Sequence, residues 1–488
     1  MSQRRVLFTL YLLVSLLALV ASFDRALIAQ SARRPNIVLI VSDDQGYADL
    51  GCLSRDVQTP ALDRLARDGV RLTDFYVTWP ACTPSRGSLL TGRYPQRNGI
   101  YDMIRNEAPD YGHRYTPQEY EVTFERIGGM DTREILISGL LRDASYRCGI
   151  FGKWDLGSLH RYLPRQRGFH EFYGFVNTGI DYFTHERYGV PSMYRNDEPT
   201  VADRGTYCTD LFRREALRFI RANRSRPFFL YLPFNAPHSA SNLDPKIRSA
   251  PQAPDKYKKL YPQYEEQYVA RPKHRYWKNA QVPTRDTRRL LYLASLTAMD
   301  EAIGEVLDLL DELNLADNTL VLFLSDNGGS GIADNRPLRG HKGQMFEGGI
   351  RVCAMARFPG RIEKGTVSRE FLTSLEIVPT LLAVAGATAP KDLELDGFDM
   401  LPILAGKERS PRRVMCWKRR EREAIRWRNW KWIRNADGTY LFDLSSDPGE
   451  KNNLIESRPG IAKKLEERFR SWQQAMRSAE PRGPFRDF

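Results

Sequence analysis

The sequence predicts an α/β fold: one large domain in which buried strands alternate with helices, followed by a smaller antiparallel appendage. Three observations carry that expectation. Residues 36–42, 227–234 and 319–325 are short apolar runs rich in β-branched or aromatic side chains, and each leads straight into a polar cluster. Buried parallel strands deliver functional groups in this way at their C-terminal ends. Between Leu290 and Leu313, Met299, Ile303, Val306, Leu307 and Leu310 recur at spacings of three and four, the period of a helix that feeds the third of those strands. Beyond about residue 405 the texture changes to short aromatic-rich runs.

The chain has 488 residues, of which 42% are hydrophobic, enough to bury a sizeable core. It opens with Arg4 and Arg5 and then an apolar run from Val6 to Ala21, the layout of a secretory signal. Residues 1–32 are assigned to that signal, with retention as a single membrane anchor as the alternative. Export follows, to a periplasm or to the cell exterior, and a membrane is a partner only if the segment is retained. The first strand then runs into Asp43-Asp44-Gln45-Gly46, the second into Asn235-Ala236-Pro237-His238, and the third into Asp326-Asn327-Gly328-Gly329. Open α/β sheets build their sites at such ends.

A linker at 406–411 separates a catalytic part, 33–405, from a C-terminal part, 406–488. In the latter, 424–433 and 439–443 read as a small antiparallel sheet, 447–450 as a turn, and Ile461 to Met476 as a closing amphipathic helix. The six cysteines are too few and too scattered for a disulfide framework. With Cys82 spent on other chemistry, at most two internal pairs could form. A net charge of +13 favours anionic partners of any kind. No zinc-finger spacing and no basic helix with heptads accompanies it, which argues against nucleic acid.

Asp43, Asp44, Asp326 and Asn327 come from two strand ends that an α/β sheet can set side by side, an oxygen set suited to calcium or magnesium. On spacing alone the same residues could equally cap a helix and form an ordinary turn. Cys82-Thr83-Pro84-Ser85-Arg86, followed by the run from Gly87 to Arg93, is far more specific. It closely resembles the signature of the formylglycine-dependent sulfatases, and the resemblance extends from about Arg34 to the C-terminus.

That resemblance implies an alkaline phosphatase-like fold, with a large mixed central sheet flanked by helices and a small C-terminal antiparallel sheet plus helix. It also implies that a formylglycine-generating enzyme oxidises Cys82 to an aldehyde, whose hydrate carries two hydroxyls. One attacks sulfur and the other later expels the sulfate. A serine nucleophile would be left as a stable sulfate ester, whereas a hemiacetal sulfate can collapse back to the aldehyde. Asp43, Asp44, Asp326, Asn327 and the converted Cys82 resemble the family's ligands to one calcium ion, with magnesium as the alternative. Arg86 resembles the arginine that stabilises the formylglycine, and Lys153, in Gly152-Lys153-Trp154, the lysine that binds sulfate and nucleophile. His238 and Lys342 resemble the pair that holds the bridging and terminal ester oxygens.

The three carboxylates set against a divalent cation, Arg86, Lys153 and Lys342 leave the site positive, as a singly negative sulfate ester requires. One position departs from the family pattern. Two residues after the lysine a histidine is usual, and here Asp155 stands. An aspartate can accept a proton, but it adds negative charge and cannot donate when ionised. His160, His185 and His341 are candidates to compensate.

Between Ile247 and Arg289 lies a segment dense in cations and aromatics, among them Lys256, Lys258, Lys259, Arg271, Lys273, Arg275, Trp277 and Lys278. Such a mixture suits sulfated sugar rings, and equally a solvated loop. The expected function is a sulfuric ester hydrolase acting on a sulfated carbohydrate or aryl sulfate. Two alternatives stand beside it: a phosphonate monoester or phosphodiester hydrolase of the same fold, and a non-catalytic protein that binds sulfated glycans.

Overall fold

The computed structural model describes residues 34–104, 129–248, 250–273, 278–480 and 482. The expected signal segment lies outside the described residues, as do Arg275 and Trp277. No helix among the described residues is long and apolar enough to cross a membrane.

One mixed sheet organises the larger part. Its strands are β1 (Asn36–Ser42), β2 (Val70–Leu72), β3 (Arg147–Lys153), β4 (Glu171–Phe175), β5 (Met193–Arg195), β6 (Glu198–Pro199), β7 (Phe228–Pro233), β8 (Thr319–Ser325), β9 (Ala354–Arg357) and β10 (Thr366–Ser368). Their spatial order is β10-β2-β9-β8-β1-β7-β3-β4-β5-β6. The central strands β8, β1, β7, β3 and β4 are parallel, whereas β9 and β5 run against their inner neighbours.

The pleat divides each central strand between two cores. Val38, Ile40, Leu230, Leu232, Val321 and Phe323 pack on one side; Ile37, Leu39, Phe229, Tyr231, Leu320 and Leu322 pack on the other. Both faces are therefore apolar, which is why these strands read as continuous hydrophobic runs rather than as alternating ones. The helices that cover them include α1 (Pro60–Arg67), α2 (Cys82–Thr91), α3 (Cys208–Asn223), α4 (Arg285–Glu312) and α5 (Ile377–Ala385). The first core takes α1, α3 and α4, the second α2 and α5.

Helix α4 begins earlier than the apolar period suggested, because the Thr284 side chain caps it by accepting from the Thr287 amide and the first turn is polar. It in turn caps α1. Asp300 accepts from the Ala61 and Leu62 amides at 2.8 Å each, doing what Thr59 at the N-terminus of α1 does not.

At the C-terminal end, β11 (Val414–Arg419), β12 (Arg422–Trp427), β13 (Trp430–Asn435) and β14 (Gly438–Asp443) form an antiparallel meander, followed by α6 (Pro459–Ser478). One face, with Met415, Trp417, Ile433 and Phe442, packs on Tyr76, Phe346 and Phe371. The other, with Cys416, Ile425, Trp432 and Leu441, receives Leu465 and Phe469 of α6. The fully buried Lys431 bridges Glu347 at 2.8 Å and Glu450 at 2.9 Å, so the small sheet is tied by charge to the segment that follows Lys342. We propose the division between the two parts near residue 405. All six cysteines are free, so neither of the pairs that the count allowed is formed.

Candidate active site

Strands β3, β7, β1 and β8 lie side by side and parallel, so their C-terminal ends share one edge. In the β1–β8 pair Ser42 stands opposite Ser325, and the residues that follow, Asp43 and Asp326, emerge as neighbours. Strand β3 ends on Lys153, and β7 leads through Asn235 to His238. Helix α2 begins at Cys82, which is 1% exposed. Asp44 and Asp155 hold φ values of 63° and 59°, a left-handed backbone that costs a non-glycine residue about 1–3 kcal/mol and is concentrated at functional sites.

The side chains converge on Cys82. Its Sγ lies 3.3 Å from Asp43 Oδ1, 4.0 Å from Asp44 Oδ1 and 3.1 Å from Lys342 Nζ. Lys342 Nζ also donates to Asp44 Oδ1 at 2.6 Å, and Lys153 Nζ donates to Asp43 Oδ2 at 2.6 Å. Arg86 holds Asp326 Oδ2 at 2.8 and 2.7 Å and lies 3.5 Å from Asp43. Asn327 Nδ2 donates to Asp44 Oδ1 at 2.8 Å. His238 Nε2 is 3.9 Å from Asp44 Oδ2, while its Nδ1 faces the Ser239 carbonyl at 2.7 Å. Thr83 Oγ1 donates to Asp155 Oδ2 at 2.9 Å, and Lys153 lies 3.6 Å from the same carboxylate. Every site residue expected from the sequence is thus brought into one cluster.

Access is one-sided. The Lys342 and His238 side chains are 23% and 20% exposed, whereas Arg86, Lys153 and Asp155 are at most 1% exposed. A substrate therefore meets Lys342 and His238 at the mouth, with the other cations behind them.

Burial works against every charge here, and the pairing decides which groups keep it. For Asp43, burial pushes the carboxyl up, but Lys153, with His238 and Arg86, overrides it and leaves the group below its usual value. Burial opposes ionisation of Asp44 too, and Lys342 does most to reverse it. Asp155 is the exception, because burial there outweighs Lys153, Arg86 and the Thr83 bond, and its carboxyl is raised. The charge count made from the sequence left Asp155 out. Burial and then the Asp43 carboxylate push the Cys82 thiol well above its usual value, so the unmodified side chain stays a neutral thiol and a weak nucleophile. Burial also lowers His238, against the pull of Asp43.

Could this site hold a metal? The Asn327 Oδ1 atom is buried with no hydrogen-bond partner, next to three carboxylates held by cations. That is an oxygen-rich donor set with one buried oxygen left unsatisfied, and it fits a hard divalent ion. Asp43, Asp44, Cys82 and His238 offer ligand atoms within 4.8 Å of one another. Asp326 joins them through Arg86 and through the Asp44 amide, which donates to Asp326 Oδ1 at 3.3 Å.

None of the three spare histidines stands in for the missing one. His185 Nε2 faces the Thr206 carbonyl at 2.8 Å, His341 Nδ1 faces that of Lys342 at 3.0 Å, and His160 is exposed at the start of a short 3-10 helix. Among the described residues none of them contacts Cys82 or Asp155. Two buried residues went unnoticed in the sequence. Thr83 is an unspecified position within the cysteine motif, and its partner is 72 residues away. Gln45 donates to the Asp49 carbonyl at 2.8 Å and leaves Oε1 buried without a partner; its place after the aspartate pair was the available signal. In the basic segment, Lys256 pairs with Glu301, and Lys258 with Asp255 and Glu266, so part of that charge is already spent inside the protein.

The sulfatase family model matches residues 35–387. The chain belongs to the sulfatase family. A second model, for the C-terminal region of N-sulphoglucosamine sulphohydrolase, matches residues 340–475 of this sulfatase. The sulfatase is 32% identical over 409 residues to N-acetylgalactosamine-6-sulfatase of Canis lupus familiaris, covering 80% of this chain and 70% of the relative. It is 30% identical over 492 residues to arylsulfatase A of Homo sapiens, covering 87% and 84%. Among solved structures it is similar to Ps i-CgsB in complex with k-i-k-neocarrahexaose, with a TM-score of 0.75 and 30% identity over 90% of this chain and 93% of that one. The sulfatase is a sulfuric ester hydrolase with the fold of the alkaline phosphatase superfamily.

Proposed function

We propose that this exported sulfatase removes sulfate from a sulfated carbohydrate, using formylglycine made from Cys82 and one calcium ion held by Asp43, Asp44, Asp326, Asn327 and residue 82. One observation carries the reading: Cys82 sits buried at the first residue of α2, in its Cys-x-Pro-x-Arg motif, with the Lys342 ammonium at 3.1 Å and the Asp43 carboxylate at 3.3 Å. A thiol held neutral there serves poorly as a nucleophile, whereas the hydroxyls of a hydrated aldehyde would lie among preorganised cations. A bound divalent cation would supply Lewis-acid charge toward the nucleophile and the sulfate oxygens.

The chain's own residues account for the remaining work. Lys153 and Arg86 help keep Asp43 ionised, and Arg86 holds Asp326 in place. Lys342, at the mouth, offers its ammonium to a sulfate oxygen. His238 keeps a proton on Nδ1 against the Ser239 carbonyl, which turns Nε2 toward the site; when protonated, Nε2 donates to the leaving oxygen. Asp155 replaces the family's usual histidine as proton acceptor. Its raised carboxyl makes it a stronger base than an exposed aspartate, and Thr83 and Lys153 connect it to residue 82 and to Asp43.

A carbohydrate substrate is supported by the relatives, which include an N-acetylgalactosamine-6-sulfatase and a structure solved with an oligosaccharide. The test uses protein co-produced with a formylglycine-generating enzyme. The mass of the Cys82 peptide is measured, and turnover of matched sulfate and phosphate diester substrates is compared. Aldehyde at residue 82 with preferred release of sulfate is the expected result. Faster phosphodiester turnover, or aldehyde with no sulfate release from sugar or aryl esters, overturns the reading.

A further inference from the structure

Lys342 reaches the site from a glycine-rich stretch of chain. Gly340 and Gly343 flank it, both in the left-handed conformation at φ 87°, and glycine leaves the backbone freer than any other residue does. Its ammonium is nonetheless placed within hydrogen-bond distance of both Asp44 Oδ1 and Cys82 Sγ. Bonds to the larger part hold one side of the stretch. The Lys342 amide donates to the Gly329 carbonyl at 3.0 Å, and the Gly343 amide donates at 2.7 Å to the carbonyl of Pro80, two residues before Cys82.

The C-terminal part holds the other side. Glu450, fully buried, spans both ends of residues 339–347: its carbonyl accepts from Arg339 Nη1 at 2.9 Å, and its Oε2 accepts from the Glu347 amide at 2.7 Å. The turn at 447–450 presents it. The Glu450 amide donates to the Asp447 carbonyl at 3.1 Å, and Asp447 Oδ2 accepts from the Lys451 and Asn452 amides at 2.8 Å each. Glu450 itself sits at φ 52°, an unfavourable backbone for a residue with a side chain. In the middle of the stretch, the Gly343 carbonyl accepts from Arg422 Nη1 at 2.6 Å and from Arg419 Nη1 at 3.3 Å. Gly343 is thus gripped between the chain leading to Cys82 and the β11–β12 hairpin. The small sheet docks through Met415, Trp417, Ile433 and Phe442, and Arg422 is exposed, so its bond adds little to that attachment. What it fixes is the carbonyl one residue beyond Lys342.

We propose that Arg422 and Glu450 are positioning residues for Lys342, so that the C-terminal part sets where the ammonium meets the nucleophile at residue 82 and a sulfate oxygen. This rests on the reading of Lys342 as the group that holds sulfate at the mouth. A misplacement of about 1 Å can lower a rate on the order of 100-fold. With Arg419 still beside the carbonyl, loss of Arg422 alone has a smaller effect, about tenfold.

The experiment has a catalytic arm and an exchange arm. Matured Arg422→Ala, Arg422→Lys, Lys342→Ala and Lys342→Ala/Arg422→Ala are compared in nitrophenyl sulfate hydrolysis, with Arg420→Gln, which removes a charge from the same hairpin, as control. Arg422→Ala is expected to lower kcat/KM about tenfold. Arg422→Lys recovers most of that loss, since an ammonium still donates to the carbonyl, and the control keeps the native rate. In the Lys342→Ala background, removing Arg422 costs nothing further, because residues that act through one group are not additive. A second tenfold loss in that background, an equal loss in the control, or a native rate in Arg422→Ala overturns the proposal. In the exchange arm, amide hydrogen exchange is read by mass spectrometry on protein with unmodified Cys82. Arg422→Ala, and Glu450→Gln, which keeps the size but weakens the bonds of the carboxylate, are expected to speed exchange roughly fivefold in the peptide covering 339–347, with β1 and β8 unchanged. Native exchange in that peptide refutes the clamp, and a rise spread over the whole protein marks general destabilisation and counts against it equally. Absence of turnover in the unaltered matured protein overturns the catalytic reading instead, and the exchange arm then decides whether Arg422 and Glu450 hold the Lys342 segment.

Discussion

Replacing Thr83 with valine removes one hydroxyl and isolates the role of Asp155. In the native protein Thr83 Oγ1 donates to Asp155 Oδ2 at 2.9 Å, and both residues are buried. As a donor it favours the ionised carboxylate, so its loss favours the protonated form and the Asp155 pKa rises further. A hydrogen bond to a charged group contributes about 1.5–3 kcal/mol. At about 1.4 kcal/mol per pH unit, that moves the titration up by about one to two units. Lys153, 3.6 Å away, remains to hold the charge. The assay is the pH dependence of kcat/KM for aryl-sulfate hydrolysis by matured Thr83→Val protein. Its acid limb is expected to move to higher pH by that amount, with the rate recovering on the alkaline side, while Thr83→Ser keeps the native profile. A Thr83→Val profile that superimposes on the native one after scaling would refute Asp155 as the proton acceptor.

Chelation with EGTA is expected to abolish turnover and lower the melting temperature, because Asp43, Asp44 and Asp326 lose their common counter-charge; calcium restores both better than magnesium, as a many-oxygen site prefers. Asp300 tests linkage. Burial raises its carboxyl to about 7 from 3.8, so the folded state keeps a proton that the unfolded chain releases, and this group's contribution falls as pH rises from 4 to 7. Asp300→Asn should flatten that fall by up to about 4 kcal/mol in urea titrations at the two pH values, and an unchanged slope would contradict it. Lys431→Met leaves Glu347 and Glu450 buried without their ammonium and should cost about 3–5 kcal/mol in chemical denaturation; a loss below 1 kcal/mol would show that the two carboxyls simply take up protons.

The layered fold was legible because its signals are local. The runs at 36–42, 227–234 and 319–325 are buried on both faces, and that alone makes them continuous and apolar. The small sheet was legible through its aromatic strands, although β11, from Val414 to Arg419, was not singled out. The start of α4 was missed because its first turn is exposed and polar and its N-terminal signal is a single threonine. Nothing local marks Asp300 as the cap of α1, since the two meet only through packing.

For the site, the motif around Cys82 and the polar strand ends named the participants, because side-chain identity and spacing are written in the chain itself. Who touches whom depended on register and layer packing. Ser42 facing Ser325 brings Asp43 and Asp326 together, and the packing of α2 against the sheet sets Thr83 on Asp155 and Cys82 beside Lys342. The charge state of each group was decided at the same level. Burial and partner distance determine whether a carboxyl is held ionised, as at Asp43, or raised, as at Asp155, and neither quantity exists until the chain has folded.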